Sequence, residues 1–81
     1  MNQETHDHLE FICRRWYEGA KDEAMNLAAE SYCHGMWVTL CNLDITNVNT
    51  MKMVDDWRRK CVERKGDFAK AEAAAYNARK V

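Results

Sequence analysis

Residues 31–43, SYCHGMWVTLCNL, bring together side chains suited to chemistry: Cys33 lies beside His34, and Cys41 follows eight positions after Cys33. A cysteine next to a histidine raises two possibilities, an activated thiolate or a metal site. On a helix, adjacent side chains diverge by about 100°, so His34 cannot activate Cys33. His34 and Cys41 share a face but lie about 10 Å apart along the axis, too far to bind one ion. The pattern favours packing.

The other potential metal ligands do not form a recognisable site either. Structural zinc needs four converging ligands, usually supplied in close pairs such as C-x2-C or H-x3-H. His6 and His8 point to opposite sides of a helix, and Cys13 and Cys61 are distant in sequence. We therefore predict no metal, no cofactor and buried, reduced thiols. Ligands that converge from different helices, or from two copies of the chain, are the remaining route to a metal site.

Catalysis has no clear basis elsewhere in the sequence. The adjacent acids Asp22 and Glu23, and Asp55 and Asp56, lie where helix starts favour acidic residues. The sequence contains no glycine-rich phosphate loop. We predict that the chain is not an enzyme.

Composition restricts the chain to one small helical domain. A chain of 81 residues buries only about 60 to 65% of the surface that its unfolded form exposes, so it needs further stabilisation. Proline is absent and glycine occurs three times, as in helical proteins. The formal net charge of −1 gives no attraction to polyanions or membranes. Residues 1–7 are polar and no apolar run approaches about 20 residues, so we expect a cytoplasmic protein.

Apolar periodicity predicts three helices, at residues 5–18, 20–43 and 50–79. Thr5 is expected to cap the first helix, and Gly19 to mark either its end or a bend. The apolar stripe of the first helix consists of Leu9, Ile12, Cys13, Trp16 and Ala20. We place the main loop at residues 44–50, where asparagine, aspartate and β-branched residues disfavour helix.

The second predicted helix has two parallel stripes of apolar or small residues. The small stripe, which allows a neighbouring helix to approach closely, consists of Ala24, Ala28, Ser31 and Gly35. The bulky stripe consists of Met25, Ala29, Tyr32, Met36, Leu40 and Leu43. Cys33, Trp37 and Cys41 add a third apolar face, so we expect the second half of this helix to be buried on all sides, in part by another protein molecule. An 81-residue chain has too few other helices to cover it.

The third predicted helix follows a heptad pattern from Val54 to Ala78, with one polar residue, Arg64, at a core position. Either Arg64 extends past Phe68 into solvent, or it lies opposite an acid in an oligomer interface. We expect one long helix that is bent or frayed at Gly66; the alternative is that Gly66 ends one helix and Asp67 caps the next. The core positions of the heptads are Val54, Trp57, Cys61, Phe68, Ala71, Ala75 and Ala78.

These patterns predict an all-α single domain over residues 1–81, a three-helix bundle or long antiparallel helical hairpin completed by homo-oligomerisation, as a dimer or higher assembly. The function predicted is protein–protein interaction: a small adaptor or inhibitor that binds a larger protein. Small accessory proteins of phages and mobile elements have this size and chemistry. The candidate contacts are Phe11, Trp37, Met51, Met53 and Arg64, because aromatic and methionine side chains are enriched at interfaces.

The alternative prediction is a nucleic-acid-binding regulator. Residues 57–65, WRRKCVERK, place several cations beside an aromatic side chain, and a basic helix face can lie against phosphates. The candidate contacts are Arg58, Arg59, Lys60, Arg64 and Lys65. Nearby acids dilute this patch, and the chain has no clear helix-turn-helix pattern.

Overall fold

The structure, a computed structural model, describes residues 2–43 and 48–79. The described residues form helices and no strand, which confirms the all-α prediction. The helices are α1 (Gln3–Gly19), α2 (Glu23–Leu43), α3 (Val48–Glu63) and α4 (Lys65–Arg79). Of the predicted loop, residues 44–47 lie outside the described residues, and residues 48–50 already belong to α3.

Side-chain caps set the starts of α1 and α2. Asn2 accepts a hydrogen bond from the backbone amide of Thr5 at 2.8 Å, so Asn2 is the N-cap and the prediction of Thr5 is wrong. The carboxylate of Asp22 accepts from the amide of Met25 at 2.8 Å, which places the start of α2 at Glu23 rather than at residue 20. The helix α1 ends at Gly19, so of the two alternatives for this glycine the helix end is the one observed.

The core of the α1–α2–α3 bundle consists of small and medium-sized side chains. Larger residues, among them Trp37, Met51 and Trp57, are only partly buried against it. The buried cluster contains Cys13, Cys33, Leu40, Met53 and Val54. Within the chain, α3 covers one face of α2 and α1 only part of the next, so the complete burial predicted for its second half needs another molecule and stays a prediction.

The cation of Arg64 lies between the end of α1, the first half of α2 and the turn from α3 to α4. Its Nε donates to Oδ1 of Asn26 at 2.6 Å, and its Nη2 donates to the backbone carbonyl of Tyr17 at 2.6 Å. The guanidinium stacks on the ring of Tyr17, with 3.6 Å between Cζ and the ring centroid. Asn26 is 1% exposed and donates from Nδ2 to the carbonyl of Cys61 at 3.0 Å. We call Arg64, Asn26 and their two carbonyl partners the Arg64 junction.

This geometry replaces both predictions for Arg64. The side chain points inward, and its partners are an amide and a carbonyl of the same chain rather than solvent or a partner's acid. Tyr17 lies in the last turn of α1, where backbone carbonyls lack helical partners and a cation is favourable. Arg64 therefore joins the end of α1 to α2 and α3.

The predicted third helix is divided at Arg64, which forms a one-residue turn between α3 and α4. Gly66 lies inside α4. None of the residues of α4, Lys65–Arg79, is buried. The heptad alanines of α4 are therefore exposed instead of forming a core. Its extension contributes to an elongated molecule of 55 × 19 × 14 Å.

The Arg64 junction predicts a specific loss of stability. Asn26→Leu removes two hydrogen bonds, so the Nε of Arg64 loses its acceptor and the carbonyl of Cys61 loses its side-chain donor. We expect the free energy of unfolding to fall by about 2–4 kcal/mol, because each buried unpaired group costs about 1–3 kcal/mol. Urea denaturation followed by circular dichroism measures it.

The matched control is Asn77→Leu, the same change at an exposed position of α4. It is expected to alter the unfolding free energy by no more than about 0.5 kcal/mol. Equal effects of the two substitutions would contradict a structural role for the junction.

Candidate protein interface

An open groove runs between α1 and α2, with a volume of about 570 Å³. Four large apolar side chains border it, each with 42–48% of its surface exposed: Phe11, Trp16, Met25 and Tyr32. The rings of Trp16 and Tyr32 stack across it with centroids 5.0 Å apart. This stack joins the two helices and at the same time leaves one side of each ring open to a partner.

The groove continues along α2 toward its C-terminal end. A second segment of about 580 Å³ has Tyr32 in common with the first and reaches Leu43. Between its larger side chains, α2 contributes a row of small, exposed residues to the two segments: Ala28, Ser31 and Gly35. The predicted small stripe is thus present, but no described helix of the same chain covers it. We call the two segments together the α1–α2 groove.

Space and charge in this groove suit an approaching helix. A Cβ added to Gly35 would meet nothing within 4 Å, so the wall is open to a neighbouring backbone. The basic side chains that line the first segment are His8 and Arg15, and no acidic side chain among the described residues lines it. The groove is therefore apolar with a basic edge, a form that suits an amphipathic helix with small residues on its contact face.

The predicted contact residues do not form one surface. Phe11 lies on the α1–α2 groove, whereas Trp37 and Met51 pack partly buried against the core. Met53 is 8% exposed and belongs to the core, so it is not presented to a partner. Arg64 is used in the junction. Proximity to the predicted loop does not expose Met53, because α3 begins at Val48 and places this side chain against the core.

Trp16, Met25 and Tyr32 were missed as interface residues because each lies on an apolar stripe that was predicted to face the core. Their size was the available signal. A bundle of three short helices with a cysteine-rich core has no room for two further aromatic rings. The exposed side of α1 and α2 therefore receives them.

The cations of the nucleic-acid hypothesis have partners within the chain. Arg58 and Arg59 both pair with Asp55, at 3.0 and 2.9 Å. The ammonium of Lys60 lies 4.1 Å from the ring centroid of Trp57. These surface pairs are weak and Arg59 remains 66% exposed. Arg64 serves the junction and Lys65 is exposed, so phosphate binding stays a prediction with fewer available cations.

The thiols lie inside the bundle rather than in an open site. Cys13, Cys33 and Cys61 are 0% exposed, and Cys13 donates a hydrogen bond to the sulfur of Met36 at 3.7 Å. A hydrogen bond with Cys13 and burial raise the pKa of Cys33, while burial raises the pKa of Cys61. Hydrogen bonding from Cys33 lowers the pKa of Cys13. Cys41 is half-buried.

Two further features concern ligands and membranes. Within residues 2–43 and 48–79, no three His, Cys, Asp or Glu side chains are grouped in a way that could hold a metal ion. Of the helices formed by the described residues, none is both long and apolar enough to span a bilayer.

Comparisons with known protein families, with curated proteins and with solved structures found no match to this chain.

The burial of the thiols predicts selective alkylation. Iodoacetamide at pH 8 should label Cys41 first in the folded protein, because Cys13, Cys33 and Cys61 are inaccessible and raised pKa values keep Cys33 and Cys61 protonated. Peptide mass spectrometry gives the order of labelling. In denaturant all four cysteines should react at similar rates. Rapid labelling of Cys13 in the folded protein would contradict the burial of this thiol.

Proposed function

We propose that this chain is a non-enzymatic protein-interaction module that binds a helix of a larger protein in the α1–α2 groove. It acts there as an adaptor or an inhibitor. The observation that supports this most strongly is the set of four large apolar side chains, Phe11, Trp16, Met25 and Tyr32, exposed around one groove. Large aromatic and methionine side chains that converge on a concave surface are typical of interface centres.

The groove also defines the chemistry of the partner. Ala28, Ser31 and Gly35 leave room for a helix whose contact face has small or medium-sized residues. Trp16 and Tyr32 then pack against its side, and an acidic residue of the partner pairs with Arg15 at the basic edge. We further propose that the protein acts in the cytoplasm, where its four free cysteines stay reduced.

Site-specific photo-crosslinking tests this proposal. A benzophenone amino acid replaces Phe11 in the groove, and in the control it replaces Val62, an apolar α3 residue of similar exposure. Irradiation in cells of the source organism should give one larger protein crosslinked from position 11 and not from position 62. Mass spectrometry distinguishes that product from a crosslink to a second copy.

Binding of the purified crosslinked protein should depend on the groove. Met25→Glu places a charge at an exposed apolar contact and is expected to weaken binding at least about tenfold, equivalent to about 1.4 kcal/mol. Titration calorimetry gives the affinities of wild type and variant. Equal crosslinking from positions 11 and 62, or an unchanged affinity of the Met25→Glu variant, would contradict the proposal.

A further inference from the structure

The helix α4 has an unpartnered stripe whose spacing matches the small stripe of α2. Asp67, Ala71, Ala74 and Ala78 follow one another at intervals of four, three and four residues, on one face of α4, and all are exposed. The small stripe, Ala24, Ala28, Ser31 and Gly35, has the same intervals and is also exposed. Each stripe is about 16 Å long, and two such rows of small residues allow close helix packing.

Charge and size agree with this match. The α1–α2 groove has the basic residues Arg15 and His8 on its edge, and Asp67 is the acid in line with the alanines, whereas Lys70 lies beside this stripe. The alanines leave space for the protruding rings of Trp16 and Tyr32. Ala71, Ala74 and Ala78 do not line the cleft that α4 forms with the start of α2, which is on another side of the helix.

The stripe of α4 cannot reach the groove of its own chain. A turn of one residue, Arg64, separates α3 from α4, and the amide of Asp67 donates to the carbonyl of Arg64 at 3.0 Å. Glu72 accepts from the amide of Glu23 at 2.9 Å, which holds α4 beside the start of α2. A helix fixed at these points cannot fold back along α2, so the occupant must come from another molecule.

The chain exposes more surface than a compact monomer of its size. A compact monomer of 9.5 kDa is expected to expose about 5,050 Å². This chain exposes 5790 Å². The excess of about 740 Å² reflects the elongated shape of the molecule, in which the faces of α4 are uncovered. A stable interface of standard size buries roughly 800 Å² of each partner.

We infer that the α1–α2 groove binds α4 of a second copy of this chain, with Asp67, Ala71, Ala74 and Ala78 packed on the small stripe of α2. Each copy donates α4 and receives that of its partner, so a two-fold dimer contains two equivalent contacts. The inference rests on the proposed function of the groove, and a helix of the larger protein displaces α4 from it. Self-association and partner binding then compete.

Complementation between two variants tests the inference by sedimentation velocity. Ala74→Arg obstructs the donated helix, and Ser31→Arg obstructs the receiving groove; both positions are exposed, so the fold is retained. Each variant alone should dimerise at least about tenfold more weakly than wild type. An equimolar mixture should recover dimer, because a mixed pair retains one intact contact between the α4 of one copy and the groove of the other.

Matched controls are Asn77→Arg, about a quarter turn from the α4 stripe, and Val62→Arg on α3, and both should dimerise like wild type. If circular dichroism shows that a test variant has lost helix, Ala71→Arg and Gly35→Gln replace the pair. A dimeric Ala74→Arg beside a monomeric Ser31→Arg would overturn the inference in favour of groove-to-groove contact. A mixture no more dimeric than its components would also overturn it. A monomeric wild type would overturn it and leave the proposed function to the crosslinking result.

Discussion

The Arg64 junction is the constraint on which the arrangement of the helices depends. A cation that leaves bulk water must regain hydrogen bonds, and Arg64 does so with Asn26 and with the carbonyl of Tyr17 at the end of α1. Asn26 in turn binds the carbonyl of Cys61. The junction therefore fixes α1 against α2 and α3, and the turn at Arg64 sets the direction in which α4 leaves the bundle.

The bundle fixed in this way has an unusual distribution of side-chain sizes. Its fully buried positions include Cys13, Ala29, Cys33 and Cys61, whereas large apolar side chains border the α1–α2 groove. Helices whose core-facing side chains are small pack closely together, and this packing leaves no interior volume for the aromatic rings. Apolar surface that a monomer cannot cover is typical of a protein that meets another protein. The small size of the core residues thus explains both the close packing of the helices and the exposure of the aromatic rings at the groove.

The sequence was sufficient to predict helix type but not the faces of the helices. Periodicity placed helices at nearly all described positions, and the first ends at Gly19, one of the two alternatives for this glycine. It misplaced Trp16, because a stripe identifies residues on one face without showing how much of that face another helix covers. The helix break lies at Arg64 and not at Gly66, where the alternative prediction placed it, and the regular heptad pattern of residues 57–78 favoured a continuous helix. Asn26, the partner of Arg64, also binds the carbonyl of Cys61, which is 35 residues away in sequence. No local pattern predicts these two contacts, because they arise only from tertiary packing.

The central claim is that α4 and the α1–α2 groove are two halves of one interface. Hydrogen exchange of the wild-type protein, followed by mass spectrometry across a dilution series, measures both surfaces at once. We predict that amide protection in residues 65–79 and along the groove side of α1 and α2 rises together as concentration increases, with the end of α3 near Cys61 unchanged. Protection in both regions that does not depend on concentration, or that changes in α3 alone, would contradict the account.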